Sequence, residues 1–241
     1  PHITPVIQGT SSFIVSIDGP ISITHGALEV TTDGRSFLIP AGETYTVDSK
    51  GSRIAHCYLD PYNQDFFRLS QQMKTKVGNV FTESKRESVQ TAAFEKMLMH
   101  MRDTQLSKAL LESVVFPSSI ESPRRQRIDQ RVVEIIDIIQ GDPSIIHGNR
   151  YLAKRINVSE VTLMRLFKAT TGVTIRRFRL WCRVIESIEP LFMGSSTTDA
   201  AIDVGFFDAP HFNHSFKGML GMNPLSIIQQ MKSMDIITYR S

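Results

Sequence analysis

LAKRINVSEVTLMRLFKATTG (residues 152–172) and AAIDVGFFDAPHFNHSFKGMLG (residues 200–221) can be laid on one another, and that pairing decides how the chain is read. Ala153 pairs with Ala201; four residues later Asn157 and Gly205 share the position where a left-handed residue ends a helix. Leu163, Phe167, Lys168 and Gly172 then pair with Phe212, Phe216, Lys217 and Gly221. The offset is 48 before the turn (153 to 201) and 49 after it (163 to 212), so the second copy carries one extra turn residue. Small residue, short helix, tight turn and second amphipathic helix make the helix-turn-helix pattern, here present twice, at about 150–172 and 198–221.

A helical wheel at about 100° per residue sorts the second helix of each copy into an inner and an outer face. In the later copy Phe212, Phe216, Met219 and Leu220 share one arc that must be buried, which sends Pro210, His214 and Lys217 outward with His211 and Asn213 on the flanks. The earlier copy buries Leu163, Leu166, Phe167 and Thr170 and exposes Val161, Arg165 and Lys168, flanked by Thr162 and Met164. His211 and His214 lie three apart on one side of a helix, a spacing that suits a metal. His214, however, stands where Arg165 stands in the other copy, and an arginine reads guanine or binds phosphate but does not ligate zinc. No Cys or Glu lies near the pair, so no metal and no cofactor is expected. The ten outward and flanking residues are the candidate DNA-binding set. Arg165 is the candidate base contact, Val161 suits a thymine methyl, and Lys168, Lys217 and Arg150 or Arg155 suit phosphates.

The rest of the chain fits a two-domain protein: 241 residues with 41% hydrophobic and 21% charged side chains. Its net charge of +3 is asymmetric. Residues 1–123 hold 11 Lys and Arg against 13 Asp and Glu, whereas residues 124–241 hold 16 against 11, so the basic surplus is C-terminal, as polyanion binding requires. Cys57 and Cys182 lie far apart without a CxxC pair, which indicates neither a disulfide framework nor a cysteine zinc site and suits a reducing cytoplasm. No apolar run approaches the ~20 residues that span a bilayer, so no membrane association is expected.

From Ser12 to about Tyr58, short β-branched runs alternate with glycine punctuation, the spacing of a compact antiparallel barrel or sandwich. Gly34, Pro40, Gly42 and Tyr45 fall at a spacing that resembles the second motif of cupins, and Gly19 and His25 match part of the first. Where metal-binding cupins place histidines, this chain has Ala27 and Tyr45, so a cupin-type enzyme with a helical appendage stands only as the alternative reading, and no enzyme is expected. Tyr45, Arg53, His56 and Tyr58 are the polar strand residues that would line such a barrel as a ligand site, although period-2 alternation sends only some of them inward. After Pro61 the spacing turns helical, clearest over residues 91–116, where Phe94, Met97, Leu98, Met101, Leu106, Ala109 and Leu110 form an apolar stripe. That stripe suits either packing on the chain's own barrel or a homodimer interface. PSSIESPRRQ (117–126) reads as a linker.

Residues 127–241 resemble the DNA-binding domain of the AraC/XylS family of bacterial transcription regulators. The resemblance rests on Ala201, Gly205, Phe206, His211, Phe212, Phe216, Lys217, Gly221 and Pro224, on the earlier copy, and on Arg183 in the helix between the motifs. Pro210, Pro190 and Ile227-Ile228 depart from the family pattern. The resemblance implies an α+β chain. A cupin-like effector or dimerisation domain (1–116) would be followed by the linker and an all-α domain (127–241), whose two helix-turn-helix motifs are joined by one long helix, roughly 175–192. It further implies double-stranded promoter DNA and RNA polymerase as partners, a small-molecule effector, and a regulator that acts in the cytoplasm.

Overall fold

The computed structural model describes residues 2–100, 103–117 and 128–231. The front of the chain forms two antiparallel sheets. The first is built from β1 (His2–Ile7), β6 (Thr44–Asp48), β3 (Ile21–His25) and β4 (Val30–Gly34), in that order. The second runs β7 (Ile54–Tyr58), β2 (Ser12–Ser16), β5 (Ser36–Ile39), β9 (Val80–Ser84) and β8 (Met73–Val77). Among the described residues no ladder joins one sheet to the other, so the expected barrel is an open sandwich. The sequence explains why it stays open. In β2 every residue is buried, because alternate side chains serve two different cores. Ile14, with Phe37 and Ile39, meets Ile21, Ile23, Tyr45 and Val47 of the first sheet. Phe13 and Val15, with Leu38, meet a helical layer on the other side. A sheet that must be covered on both faces gains nothing by rolling up on itself.

That helical layer contains α1 (Gln64–Ser70), α2 (Glu87–Met99), α3 (Thr104–Leu110) and a π-helical turn at Leu111–Val115. The apolar stripe of residues 91–116 is used here. Phe94, Met97, Leu111 and Val115 are buried against the second sheet, with Leu98 and Leu110 packed alongside; Met101 lies outside the described residues. The strands β8 and β9 interrupt the helical spacing read after Pro61. They form a hairpin in which Val77 faces Val80 across the two-residue loop Gly78-Asn79.

Of the expected linker, residues 118–126 lie outside the described residues. Then follow α4 (Gln130–Gly141), α5 (Asn149–Arg155), α6 (Glu160–Thr171), α7 (Ile175–Glu186), α8 (Ile188–Phe192), α9 (Thr197–Asp203), α10 (Ala209–Leu220) and α11 (Pro224–Met231). They share one core, in which Ile135, Leu163, Phe167, Phe178, Phe212 and Phe216 are fully buried. The helix expected over 175–192 breaks at Ser187, where α7 gives way to α8, and Pro190 sits in the first turn of that second piece, where its missing N–H costs nothing. Among the described residues no helix is long and apolar enough to cross a membrane.

Candidate nucleic-acid interface

Both helix-turn-helix units form where the repeat places them. In the first, α5 ends in a turn with Asn157 left-handed (φ 53°), and Ser159 caps α6 by accepting the Thr162 backbone N–H; Gly172 (φ 81°) closes the helix. In the second, α9 ends in a turn with Gly205 at φ 83°, Asp208 caps α10 by accepting the His211 backbone N–H, and Gly221 (φ 79°) closes it. Pro210 occupies the first turn of α10, where its fixed φ suits the helix.

The wheel sorts the faces correctly. Phe212, Phe216, Met219 and Leu220 are buried, as are Leu163 and Phe167, with Leu166 partly so. One position differs: Thr170 is only half-buried, and the adjacent Thr171 takes the interior place, its hydroxyl donating to the Phe167 carbonyl at 2.9 Å. Val161, Met164, Arg165 and Lys168 are exposed on α6; Pro210, His211, Asn213, His214 and Lys217 are exposed on α10. Thr162 is half-buried, its hydroxyl 2.9 Å from that of Ser159. Among the described residues, Arg165, Lys168 and Lys217 have no carboxylate within ion-pair distance, so their charge is open to a polyanion. Arg150 is exposed as well, whereas Arg155 is engaged by Glu134 at 3.0 Å. The His211 ring lies edge-on to Phe206 at 5.2 Å, which ties it to the turn and leaves His214 the freer of the pair.

The two units are held together by α7. Arg183 is only 5% exposed and, among the described residues, has no carboxylate within ion-pair distance; instead its guanidinium donates to the carbonyls of Pro143 (2.6 Å), Ser144 (2.9 Å) and Gly205 (2.8 Å). Burial pulls its pKa down from the ordinary arginine value, and the three carbonyl dipoles take the place of a counter-charge. A Cβ at Gly205 would lie 2.8 Å from the Ser144 backbone, so glycine is required there both for the left-handed turn and for this close approach.

Of the four front-domain candidates, three converge. The Tyr45 hydroxyl lies 3.3 Å from His56 Nε2, and the His56 ring stands 4.6 Å from that of Tyr58. Arg53 does not join them; it is exposed and paired with Asp18, whose carboxyl it holds down at about 2. Two residues missing from the sequence reading complete the cluster. Gln8 lies 3.3 Å from His56 and accepts from Ser12, and the Trp181 ring of α7 meets Tyr58 edge-on at 4.8 Å. No periodicity marks Gln8, and Trp181 reads as an ordinary core residue of an amphipathic helix. Desolvation among these groups pulls the His56 imidazole down to about 4, so it is neutral near pH 7. Burial likewise pushes the Cys57 and Cys182 thiols up to about 12, and neither supplies a thiolate nucleophile. Tyr45, at the cupin ligand position, is 2% exposed and points into the sandwich, and among the described residues no three His, Cys, Asp or Glu side chains converge as a metal site would require. The cupin-enzyme alternative has no support.

Comparison with known proteins agrees with this geometry. The family described as "Helix-turn-helix domain" matches residues 152–230. No curated protein matches the chain. Among solved structures, ToxT from Vibrio cholerae O395 shares the fold at 12% identity, over 96% of this chain and 95% of that one, with a TM-score of 0.64. The same protein bound to (E)-4-(8-methylnaphthalen-1-yl)but-3-enoic acid matches at 11% identity over 95% of each chain, TM-score 0.61. Unsaturated fatty acid bound wild-type ToxT from Vibrio cholerae strain SCE256 matches at 11% identity over 98% and 92%, TM-score 0.54. Residues 152–230 therefore form an AraC-type helix-turn-helix DNA-binding domain, two such units held by α7, and the chain as a whole shares the fold of ToxT.

Proposed function

We propose that α6 and α10 are the two reading helices and that they enter successive major-groove segments on one face of a single duplex. The observation that carries this is the pair of exposed, unpaired outer faces, Val161-Arg165-Lys168 and Pro210-His214-Lys217, both anchored to α7. Arg165 donates to guanine, Val161 meets a thymine methyl, and Thr162, Met164, His211, Asn213 and His214 fill the flanking contacts. Lys168, Lys217 and Arg150 neutralise phosphates and set the register. Successive major-groove segments on one face lie one helical turn, about 10 base pairs, apart. Selection of tight binders from random duplex DNA is therefore expected to return two short conserved blocks centred about 10 base pairs apart, with affinity that falls steeply with salt. A single block would sink the two-helix reading.

The front domain is the regulatory part. ToxT has been solved with two kinds of carboxylic acid carrying an apolar body, and an acid of that class is the effector we assign to the cluster of Tyr45, His56 and Tyr58. Oleic acid is expected to raise the melting temperature of the protein and to change its affinity for the selected duplex, and Tyr58→Ala to remove both effects. As a promoter-binding regulator the chain works in the cytoplasm with RNA polymerase as its partner. A second copy of the chain would meet the 91–116 segment at Met99 of α2, which remains exposed; sedimentation of the full chain at micromolar concentration tests that contact.

A further inference from the structure

The extra residue in the second turn is Phe207. In the first unit the left-handed Asn157 is followed by Val158, which packs against the helical core, and then directly by the cap Ser159. In the second unit the corresponding run is Gly205, Phe206, Phe207 and the cap Asp208. Phe206 performs the packing that Val158 performs: it is 4% exposed, its ring meets Phe212 and His211 at 5.2 Å each, and the Arg183 guanidinium stands 5.9 Å from its centre. Phe207 is left with no packing role and is 94% exposed, the most exposed large apolar side chain among the described residues. It stands directly before the cap of α10, three residues ahead of Pro210, at the end of the proposed reading helix that would approach base edges.

We propose that Phe207 is a specificity-determining contact of the second reading head, its ring lying against a thymine C5-methyl group and the adjoining deoxyribose in the major groove. The inference rests on α10 being a reading helix and adds to that reading which base it favours and by what means. The chemistry favours an apolar base feature over phosphate, because a phenyl ring offers no donor and the thymine methyl is the apolar group on the major-groove floor. Phosphates nearby are served by Lys217, so the ring adds discrimination without adding charge. In the first unit the apolar base contact falls to Val161, 71% exposed and inside the first turn of α6; in the second the equivalent place is held by the short, rigid Pro210, and the inserted phenyl supplies the reach.

The test uses the full chain and the duplex that it selects from random DNA. Each thymine of the second block is replaced in turn by deoxyuridine, which deletes only the methyl. The wild-type chain is expected to lose about fourfold in affinity at one such position, the weight of one methyl removed from contact. Phe207→Ser is expected to bind the unmodified duplex about tenfold more weakly, to be indifferent to that deoxyuridine, and to keep the wild-type melting temperature, since the ring packs on nothing in the free protein. Equal affinities of wild type and Phe207→Ser on the unmodified duplex, or an unchanged response of the variant to deoxyuridine, would overturn the assignment while leaving α10 a reading helix. Selection that returns no second block would remove the reading of α10 itself, and Phe207 with it. A variant that binds DNA normally but fails to activate transcription would place the ring on a protein partner instead.

Discussion

Arg183 shows how one side chain sets the geometry of two reading heads. It lies on α7, yet its three hydrogen bonds reach the loop before α5 and the turn before α10. Only a planar fork of donors spans carbonyls in those different directions, and a lysine ammonium on its flexible stem would satisfy one of them. Arg183→Lys therefore leaves two buried carbonyls short of a donor. Denaturant unfolding is expected to show a loss of about 2–4 kcal/mol. The separation of the two heads depends on the same bonds, so the variant should lose more affinity on a duplex carrying both blocks than on one carrying the first block alone. Equal losses on the two duplexes would make Arg183 a stability residue with no part in spacing.

The second helix of each unit was legible because a single period governs it: residues that recur at 3.6 positions must choose between core and solvent, and the caps Ser159 and Asp208 precede the first apolar position in both copies. On α10 this separates two kinds of substitution. Phe216→Ala empties a fully buried site and is expected to cost about 3–5 kcal/mol, whereas His214→Ala on the exposed face should change stability by less than about 0.5 kcal/mol and weaken binding at the second block only. Thermal melts beside binding to duplexes with either block scrambled check both; a loss spread evenly over the two blocks would mean that His214 holds phosphate. Elsewhere the period was misread. KTKVGNVFTES (74–84) carries Gly-Asn between two alternating runs, a two-residue hairpin signal, but it is short and lies among residues of helical spacing. The closure of the front domain was illegible for another reason. Alternation shows that β2 has two faces, and nothing local to the strand says that helices rather than further strands cover the second one. Nor did the repeat, which reveals matched residues, single out Phe207, the residue with no match.

At the scale of the whole molecule, the front domain grips the helical domain from behind. The Arg177 side chain of α7 donates to the Ile7 carbonyl at 2.9 Å, and the Asn63 amide, which also accepts from Ser11, donates to the Thr170 carbonyl at the end of α6. Strand β1 runs against α10. The front domain thus touches both reading helices and the helix that joins them, yet the outer faces of α6 and α10 stay exposed. In this arrangement the front domain leaves the faces proposed to bind DNA uncovered, and control over the angle and spacing of the heads is what these contacts allow. The tightest of them is at Gly9, where an added Cβ would fall 2.2 Å from Trp181 Cβ and 2.4 Å from Cγ. Gly9→Ala is therefore expected to push the β1–β2 loop away from Trp181, which packs in the helical core. Trp181 is the chain's one tryptophan and is 4% exposed where the loop meets the helical core, so its fluorescence reports on that junction. The variant is expected to shift Trp181 emission to the red while far-ultraviolet circular dichroism stays unchanged, and to alter affinity for a two-block duplex more than for a single block. An emission maximum like that of the wild type would mean that the loop relaxes locally and that Gly9 does not fasten the front domain to the joining helix.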